Sequence, residues 1–372
     1  MGNIFDYLDW RGDIPFSVDP FNSVDNLILS ELIYTDFDGI VPEKGLRDKI
    51  SIGDACKAYF ARTSKEELAK RISTTKVAPL LMEKMATCAR YKNMKIAAYR
   101  NEIDNESMSQ FAAAAFYLDD DSWFIAFRGT DNTLVGWQED FNMSFLAHTA
   151  GQIKAKKYLN QILASTTKKI RVGGHSKGGN FAIYASAFCQ PNIQVKIKKV
   201  YSNDGPGFKK NVMNSQGYRC ILRRVESNIP TDSVVGLLLM NKLKHNVVKC
   251  NATGLNAHDP ATWQVLGNKF VLADTTSKDS KAIDKTITDW LTDLPEEKRK
   301  TFVDLVFNII YASGAKTTDE FSKDSLKKLS EIFKAMGKLS KEDQKIINEV
   351  VSKLIGSGTS TIKEKISSIF RT

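Results

Sequence analysis

Residues 170–188, IRVGGHSKGGNFAIYASAF, constrain the fold more than any other stretch of this chain. A short β-branched run leads into four glycines, and apolar residues at helical spacing follow them. The letters GHSKG at 174–178 form a G-x-S-x-G pattern between a predicted strand and a predicted helix, the context in which this pattern marks a nucleophilic serine. Gly174 and Gly178 are required there, because a Cβ at either position would collide with neighbouring chain. The stretch predicts an α/β sheet from which Ser176 projects.

Other glycine-rich corners bind phosphates, but their patterns do not fit this one. A P-loop requires G-x-x-x-x-G-K-[ST], whereas here Lys177 precedes Gly178 and neither Ser nor Thr follows. The dinucleotide-binding pattern G-x-G-x-x-G cannot be placed on GGHSKGG either. The nucleophile interpretation is therefore favoured. It also puts the amide of Lys177, at the positive end of the predicted helix, beside the point where a tetrahedral oxyanion would form.

Strand and helix patterns alternate on both sides of this corner, which favours an α/β sheet. The acidic turn at 119–121 predicts a hairpin between two of the strands. The other predicted elements are a helix over 24–34 capped by Ser23, helical structure over 50–90 with a Ser64–Glu67 capping box, a helix over 151–164, and strands over 93–100, 109–118, 122–129, 195–203 and 219–226.

The chain divides into two predicted parts. Its 372 residues, 42% of them hydrophobic, suffice for one large core with an appended region. Strand signals end near residue 275, and the following residues are Lys-rich and helical in pattern. We therefore expect a catalytic domain over residues 1–275 and a helical extension over residues 276–372.

Composition favours a soluble cytoplasmic protein. The N-terminus lacks the basic and apolar regions of a secretory signal, and no run approaches the ~18 apolar residues of a spanning helix. The five cysteines are scattered without metal-ligand spacing, so reduced thiols and neither metal nor cofactor are expected. The formal charge is +10, but the lysines alternate with acids, which favours solvated helix faces over a nucleic-acid surface.

A serine nucleophile requires a histidine base, and the chain has four histidines. His175 adjoins the serine within the corner, where neighbouring side chains diverge. His148 precedes the nucleophile, against the Ser, Asp, His order of α/β-hydrolases. His245 lies in a basic, solvated-looking segment, whereas His258 lies late in the chain in a loop broken by Pro260, so His258 is favoured over His245.

Two aspartates could orient that histidine, and both follow predicted strands. Asp204 lies in YSNDGPGF, where its neighbours suit a side chain bonded to its own backbone in a turn. Asp232 lies in NIPTDSVVG, closer in sequence to His258. The sequence favours Asp232, with Asp204 as the alternative.

Four segments occur in the order and approximate spacing of class 3 lipases. They are FIAFRGTDNTLVGWQED (124–140), VGGHSKGGNFA (172–182), IPTDSVVGLL (229–238) and HDPATWQV (258–265). Over roughly residues 1–270 the chain resembles in particular the bacterial lipase-like proteins called Mbeg1-like. The resemblance implies an α/β-hydrolase fold of the class 3 lipase type.

The same resemblance implies a site. Ser176, Asp232 and His258 would form the catalytic triad. Thr130, which ends FRGT, would supply one oxyanion donor through its backbone amide, with its hydroxyl as a further candidate, and the Lys177 amide would supply the other.

The predicted function is that of a serine esterase or lipase that hydrolyses a small-molecule or lipid ester without a cofactor. Two alternatives stay open: a catalytically inactive interaction module, and a lipolytic toxin exported without a cleavable signal. The extension is predicted to be a helical cap. The alternative is weak, salt-sensitive contact with anionic membranes through VVSKLIGSGTSTIKEKISSIF (350–370).

Overall fold

The computed structural model describes residues 1–71, 76–164, 166–239, 243–312, 314–317 and 340–346. A nine-stranded sheet crosses this part of the chain. Its strands lie side by side in the order β1 (Ile50–Ser51), β2 (Lys95–Asp104), β3 (Ser109–Tyr117), β4 (Trp123–Phe127), β5 (Ile170–His175), β6 (Ile197–Asn203), β7 (Val225–Pro230), β8 (His245–Val248) and β11 (Leu272–Ala273). A separate two-stranded ribbon contains β9 (Val265–Leu266) and β10 (Lys269–Phe270).

The sheet is parallel at its centre and antiparallel at its margins. Strands β4 to β8 pair in parallel, whereas β1 to β4 pair in antiparallel fashion and β11 runs antiparallel to β8. The carboxyl ends of the five parallel strands therefore meet at one edge, which is where ligands bind in open α/β sheets. The mixed α/β class predicted from the sequence is confirmed at this level.

Helices cover both faces of the sheet. They are α1 (Ile4–Arg11), α2 (Ser23–Leu32), α3 (Ile52–Arg62), α4 (Lys65–Ala69), α5 (Val77–Met85), α6 (Leu134–Asn142), α7 (Ala150–Leu163), α8 (Lys177–Phe188), α9 (Pro191–Gln194), α10 (Lys210–Met213), α11 (Gln216–Ile221), α12 (Lys278–Asp293) and α13 (Glu296–Ala312). Alternate residues of β4 enter opposite cores: Phe124 packs into the cluster with α2, and Ile125 into the cluster with α7 and α8. Because both faces are covered, β3, β4 and β5 are buried except at Tyr117, and most of their residues are apolar or glycine.

Most predicted elements form close to their expected positions, with two corrections. The β3–β4 hairpin and the Ser64–Glu67 capping box are present. Helix α2 is capped by Asn22 and not by Ser23, because the Asn22 side chain accepts the backbone N–H groups of Val24 and Asp25. The predicted strand over 219–226 begins too early. Ser215 caps α11 there, and β7 starts only afterwards.

The first part of the extension packs on the α/β body. The Ser277 N–H donates to the Thr231 carbonyl, 2.8 Å away, in the loop after β7. Phe307 of α13 stacks edge-on against Phe141 of α6, with ring centroids 5.8 Å apart. Residues 341–346 are helical, and residues 350–370, for which membrane contact was predicted, lie outside the described residues. None of the described helices has the length and apolar character needed to cross a bilayer.

Candidate active site

Ser176 occupies a strained corner between β5 and α8. Its backbone angles are φ 58° and ψ −136°, a region that residues other than glycine rarely adopt. Two hydrogen bonds hold the corner: the Ser176 N–H donates to the Asn203 carbonyl at 2.9 Å, and the Ser176 carbonyl accepts the Gly179 N–H at 2.8 Å. The side chain thus stands at the carboxyl edge of the sheet.

The two glycines of the G-x-S-x-G pattern lie where no side chain fits. A Cβ on Gly174 would come within 2.3 Å of the Gly178 carbonyl, and one on Gly178 within 2.1 Å of the Phe127 carbonyl. Because both obstacles are backbone atoms, no rotamer change could relieve the clash. These distances give the physical reason for glycine at both positions.

His258 and Asp204 form a hydrogen-bonded pair at the same edge. His258 ends a 3-10 turn over Gly254–His258, and its Nδ1 lies 2.6 Å from Asp204 Oδ2. Asp204 is the first residue after β6, is 1% exposed, and has a φ of 50°. A carboxylate bonded to Nδ1 directs the opposite ring nitrogen, Nε2, to act as a base.

The prediction that Asp232 pairs with His258 is wrong. The Asp232 carboxylate accepts the Ser277 hydroxyl at 2.8 Å and has no hydrogen bond to the His258 ring. The reason lies in the sheet order, because β6, which ends at Asn203 just before Asp204, is the immediate neighbour of β5, whereas β7 is one strand further away. The backbone bends at Asp204, but the side chain bonds to distant residues in place of the local backbone expected from the sequence.

Both oxygens of the Asp204 carboxylate accept hydrogen bonds. Its Oδ1 accepts the Ser233 hydroxyl at 2.5 Å and the Gly236 N–H at 3.0 Å, in addition to the His258 contact at Oδ2. Such bonds stabilise a buried anion. Ser233 and Gly236 come from the loop that follows Asp232, so this loop supports the acid without providing it.

His175 holds the backbone of His258. Its Nε2 lies 2.9 Å from the His258 carbonyl and its Nδ1 lies 3.3 Å from the Tyr34 hydroxyl. Burial keeps the pKa of His175 well below its usual range, so the ring is neutral and its Nε2–H donates to the carbonyl. The two imidazoles lie 4.4 Å apart between centroids. His175 is therefore no base, in agreement with the sequence interpretation, but it supports the loop that carries His258.

The two remaining histidines have other partners. His245 lies on β8, where its Nδ1 is 2.9 Å from the Ser227 hydroxyl, and burial lowers its pKa. His148 Nδ1 is 3.1 Å from the Tyr184 hydroxyl. Of the four histidine rings, only that of His258 is hydrogen-bonded to a carboxylate within the described residues.

The backbone amides of Thr130 and Lys177 belong to segments next to Ser176. Lys177 follows Ser176 directly, and Gly129, which precedes Thr130, is so close that an added Cβ would lie 2.8 Å from Ser176 Cβ. Thr130 follows the end of β4, and Lys177 is the first residue of α8. Within the described residues neither N–H group donates to another protein group. The Thr130 hydroxyl is already engaged, because it donates to Asp140 Oδ2 at 2.5 Å. The backbone amides are thus the better candidates for oxyanion donors.

Comparison with known proteins identifies a family and a similar solved structure. Residues 85–308 match the model of the Mbeg1-like family. This chain belongs to the Mbeg1-like family. Among solved structures it is similar to the crystal structure of M37 lipase, with a TM-score of 0.36 and 15% sequence identity over 59% of this chain and 71% of that chain. A search of curated proteins gives no match.

The part of this Mbeg1-like chain that matches the family contains the whole candidate site. It begins at the end of α5, includes Thr130, Ser176, Asp204 and His258, and continues through α12 into α13. Across the described ranges no three His, Cys, Asp or Glu side chains are grouped as metal ligands would be. The groups available for chemistry are a hydroxyl, an imidazole, a carboxylate and two backbone amides, which is the set required for acyl transfer.

Proposed function

We propose that this chain is a serine hydrolase of the α/β-hydrolase type that cleaves carboxylic esters. Ser176 is the nucleophile, His258 the base and Asp204 the group that orients the base. The observation that carries the proposal is the 2.6 Å contact between Asp204 and His258 Nδ1 at the sheet edge where Ser176 stands. A strained serine at a helix N-terminus, with an oriented histidine at the same sheet edge, is the arrangement expected of an activated hydroxyl.

Acylation begins with the unprotonated Nε2 of His258. As Ser176 Oγ attacks the ester carbonyl carbon, its proton passes to Nε2, and the carbonyl oxygen becomes an oxyanion. The N–H groups of Thr130 and Lys177 stabilise this charge. His258 then protonates the leaving alcohol, the carbon–oxygen bond to that alcohol breaks, and the acyl group stays on Ser176. Asp204 remains ionised throughout and stabilises the imidazolium.

Deacylation repeats these steps with water. His258 takes a proton from the water as it attacks the acyl carbonyl, and a second oxyanion forms at the same two amides. When it collapses, Ser176 receives the proton and the carboxylic acid leaves. The described hydrogen bonds do not include one between Ser176 and His258, and such bonds commonly shorten only when substrate is bound.

The substrate class is an ester with an apolar acyl group, either a lipid or a smaller acyl ester. The resemblance of four sequence segments to class 3 lipases supports this choice. Short-chain p-nitrophenyl esters are therefore suitable first substrates.

The test combines covalent labelling with turnover. The intact protein is treated with a fluorophosphonate probe, which reacts only with an activated serine, and hydrolysis of p-nitrophenyl butyrate is measured in parallel. We expect Ser176→Ala to abolish labelling and to lower kcat by at least about a thousandfold, because only oxyanion and binding contributions remain. Ser107→Ala, at an exposed serine in the turn between β2 and β3, is the matched control and should behave as wild type.

Two results would contradict the proposal. If wild-type protein is neither labelled nor active, the chain is a non-catalytic lipase-like module. If Ser176→Ala retains full turnover, the nucleophile lies elsewhere.

A further inference from the structure

The side chain of Lys177 is buried, although lysines are almost never fully buried in proteins. Its ammonium lies 3.1 Å from Glu139 Oε2, 3.3 Å from Gln110 Oε1 and 3.3 Å from the Gly136 carbonyl. The three ammonium hydrogens thus each have an acceptor. Gln110 lies on β3, and the other two acceptors lie on α6, so this one side chain joins the start of α8 to two other elements.

Glu139 completes a closed network around the ammonium. Its Oε2 accepts the Gln110 N–H at 3.0 Å, and its Oε1 accepts the Gly151 N–H at 2.7 Å at the start of α7. These donors stabilise the ionised carboxylate, so Lys177 and Glu139 form a buried ion pair that fixes α6 in place.

Asp140, the next residue of α6, connects this network to Thr130 of the proposed oxyanion hole. Asp140 accepts the Thr130 hydroxyl at 2.5 Å, and its other oxygen lies 3.9 Å from the Lys177 ammonium. Burial raises the pKa of Asp140 to about 6, while the Lys177 ammonium acts in the opposite direction. The titratable groups that act on Asp140 are Lys177, Glu139 and His258. The position of Thr130 thus depends on α6, and that of α6 on Lys177.

We propose that the Lys177 ammonium is a positioning group that keeps the Thr130 and Lys177 amides aligned as an oxyanion hole before substrate binds. This inference rests on the proposed function. Lys177 has two tasks in it: its backbone N–H contacts the oxyanion, and its side chain holds in place the segment that carries the other donor.

A buried ion pair such as that of Lys177 and Glu139 contributes little net stability to a fold. Removing an ammonium and a carboxylate from water costs free energy that their attraction in general only just offsets, and apolar residues of similar volume often stabilise a fold as well or better. If only stability mattered, apolar residues in place of Lys177 on α8 and Glu139 on α6 would suffice. Hydrogen bonds from a fixed ammonium define direction as well as distance, which a preorganised donor pair requires.

The test replaces the ion pair with a neutral pair. Lys177→Met alone would leave the Glu139 charge buried and unpaired, so the main variant is K177M/E139Q. The single amide oxygen introduced at 139 can accept only one of the two backbone N–H groups, of Gln110 and Gly151, that Glu139 accepts, so we expect this variant to have a lower Tm as well. Its matched control is K285M/D289N, which removes an exposed ion pair of 2.7 Å on α12. For each protein, thermal unfolding, fluorophosphonate labelling and the kinetics of p-nitrophenyl butyrate hydrolysis are measured.

We expect K177M/E139Q to fold, to retain labelling of Ser176, and to lose kcat by about 10- to 100-fold, because an oxyanion contact acts in the transition state. KM should change by less than about threefold, since bound ester makes little use of that contact. The control should match wild type. A folded K177M/E139Q with wild-type kcat would overturn the inference.

A second readout separates positioning from a general structural role. If Lys177 acts through the Thr130–Asp140 contact, Thr130→Val and K177M/E139Q should be non-additive, so that the combined kcat loss is close to the larger single loss. Losses that multiply fully would overturn the inference.

Should the lysine variant fail to fold, Gln110→Leu removes a single acceptor from the ammonium. We expect a loss in kcat of about 3- to 10-fold at unchanged KM, and an unchanged kcat would count against Lys177 as a positioning group. Wild-type labelling and turnover are measured first, so failure of this inference is distinct from failure of the proposed function.

Discussion

Replacing Asp204 by Asn tests the assignment of the acid, and Asp232→Asn is its matched control. In the wild type Asp204 Oδ1 accepts two donors, the Ser233 hydroxyl and the Gly236 N–H, while Oδ2 faces His258 Nδ1. An amide has only one oxygen. If that oxygen faces His258, its NH2 group points at the Gly236 N–H, and that donor loses its acceptor at a cost of about 1–3 kcal/mol.

The introduced asparagine side chain should therefore keep its oxygen towards Ser233 and Gly236. Its NH2 group then faces His258 Nδ1, which must become an acceptor, so the proton of the ring moves to Nε2. A ring protonated at Nε2 cannot take the proton of Ser176. This tautomer change, with the loss of the charge that stabilises imidazolium, predicts a kcat lower by about 10³- to 10⁴-fold, which corresponds to about 4 to 5.5 kcal/mol of transition-state stabilisation.

Asp232→Asn should change kcat/KM by less than about threefold, because an amide oxygen still accepts the Ser277 hydroxyl. The assay is p-nitrophenyl butyrate hydrolysis by both variants, after circular dichroism and thermal unfolding show that each is folded. A folded Asp204→Asn variant with near wild-type kcat, together with an inactive Asp232→Asn variant, would refute the geometric assignment and restore the acid expected from the sequence.

Two further predictions concern the base and a buried carboxyl. His258→Ala should lower kcat nearly as much as Ser176→Ala, whereas His245→Ala should keep turnover close to wild type; equal losses in the two folded variants would contradict the choice of base. Glu31 is fully buried, and neither of its carboxyl oxygens has a hydrogen-bond partner within the described residues, so burial raises its pKa well above the usual range. At pH values above about 4.3, the pKa of glutamate in an unfolded chain, the unfolded protein releases the Glu31 proton whereas the folded protein keeps it. The free energy of unfolding therefore falls as pH rises. Glu31→Met should thus raise Tm more at about pH 8 than at about pH 4, and a uniform change in Tm would refute a neutral Glu31.

The nucleophile corner could be predicted because its signals are local. Glycine at 174 and 178, the β-branched residues before them and the helical pattern after them all lie within one short stretch. The pairing of Asp204 with His258 could not be predicted in this way, because it depends on which strand lies beside β5. Two aspartates after two successive strands give the same sequence pattern, and only the sheet order distinguishes them.

The buried Lys177 illustrates a signal that the sequence did contain. Helix α8 is buried along nearly its whole length, and its pattern of Gly, Ala, Phe, Ile and Tyr is apolar on every side. A helix that is apolar all round lies inside the protein, so a lysine at its first position must be buried and needs an anionic partner. The partner itself, Glu139, lies 38 residues away in sequence and follows only from the tertiary structure.

The strain at the candidate site is maintained by the sheet beneath it. Ser176 and Asp204 both have positive φ and follow the ends of adjacent strands, a conformation that persists only where surrounding contacts enforce it. Asn203 supplies those contacts: its carbonyl accepts the Ser176 N–H, and its buried side-chain amide donates to the Gly174 carbonyl at 3.2 Å. The oxygen of the same amide accepts Asn228 Nδ2 from β7 at 3.2 Å. Since Asn203 precedes Asp204 directly, one residue couples the corner that bears the nucleophile to the turn that bears the acid, and their relative position follows from the pairing of β5 with β6.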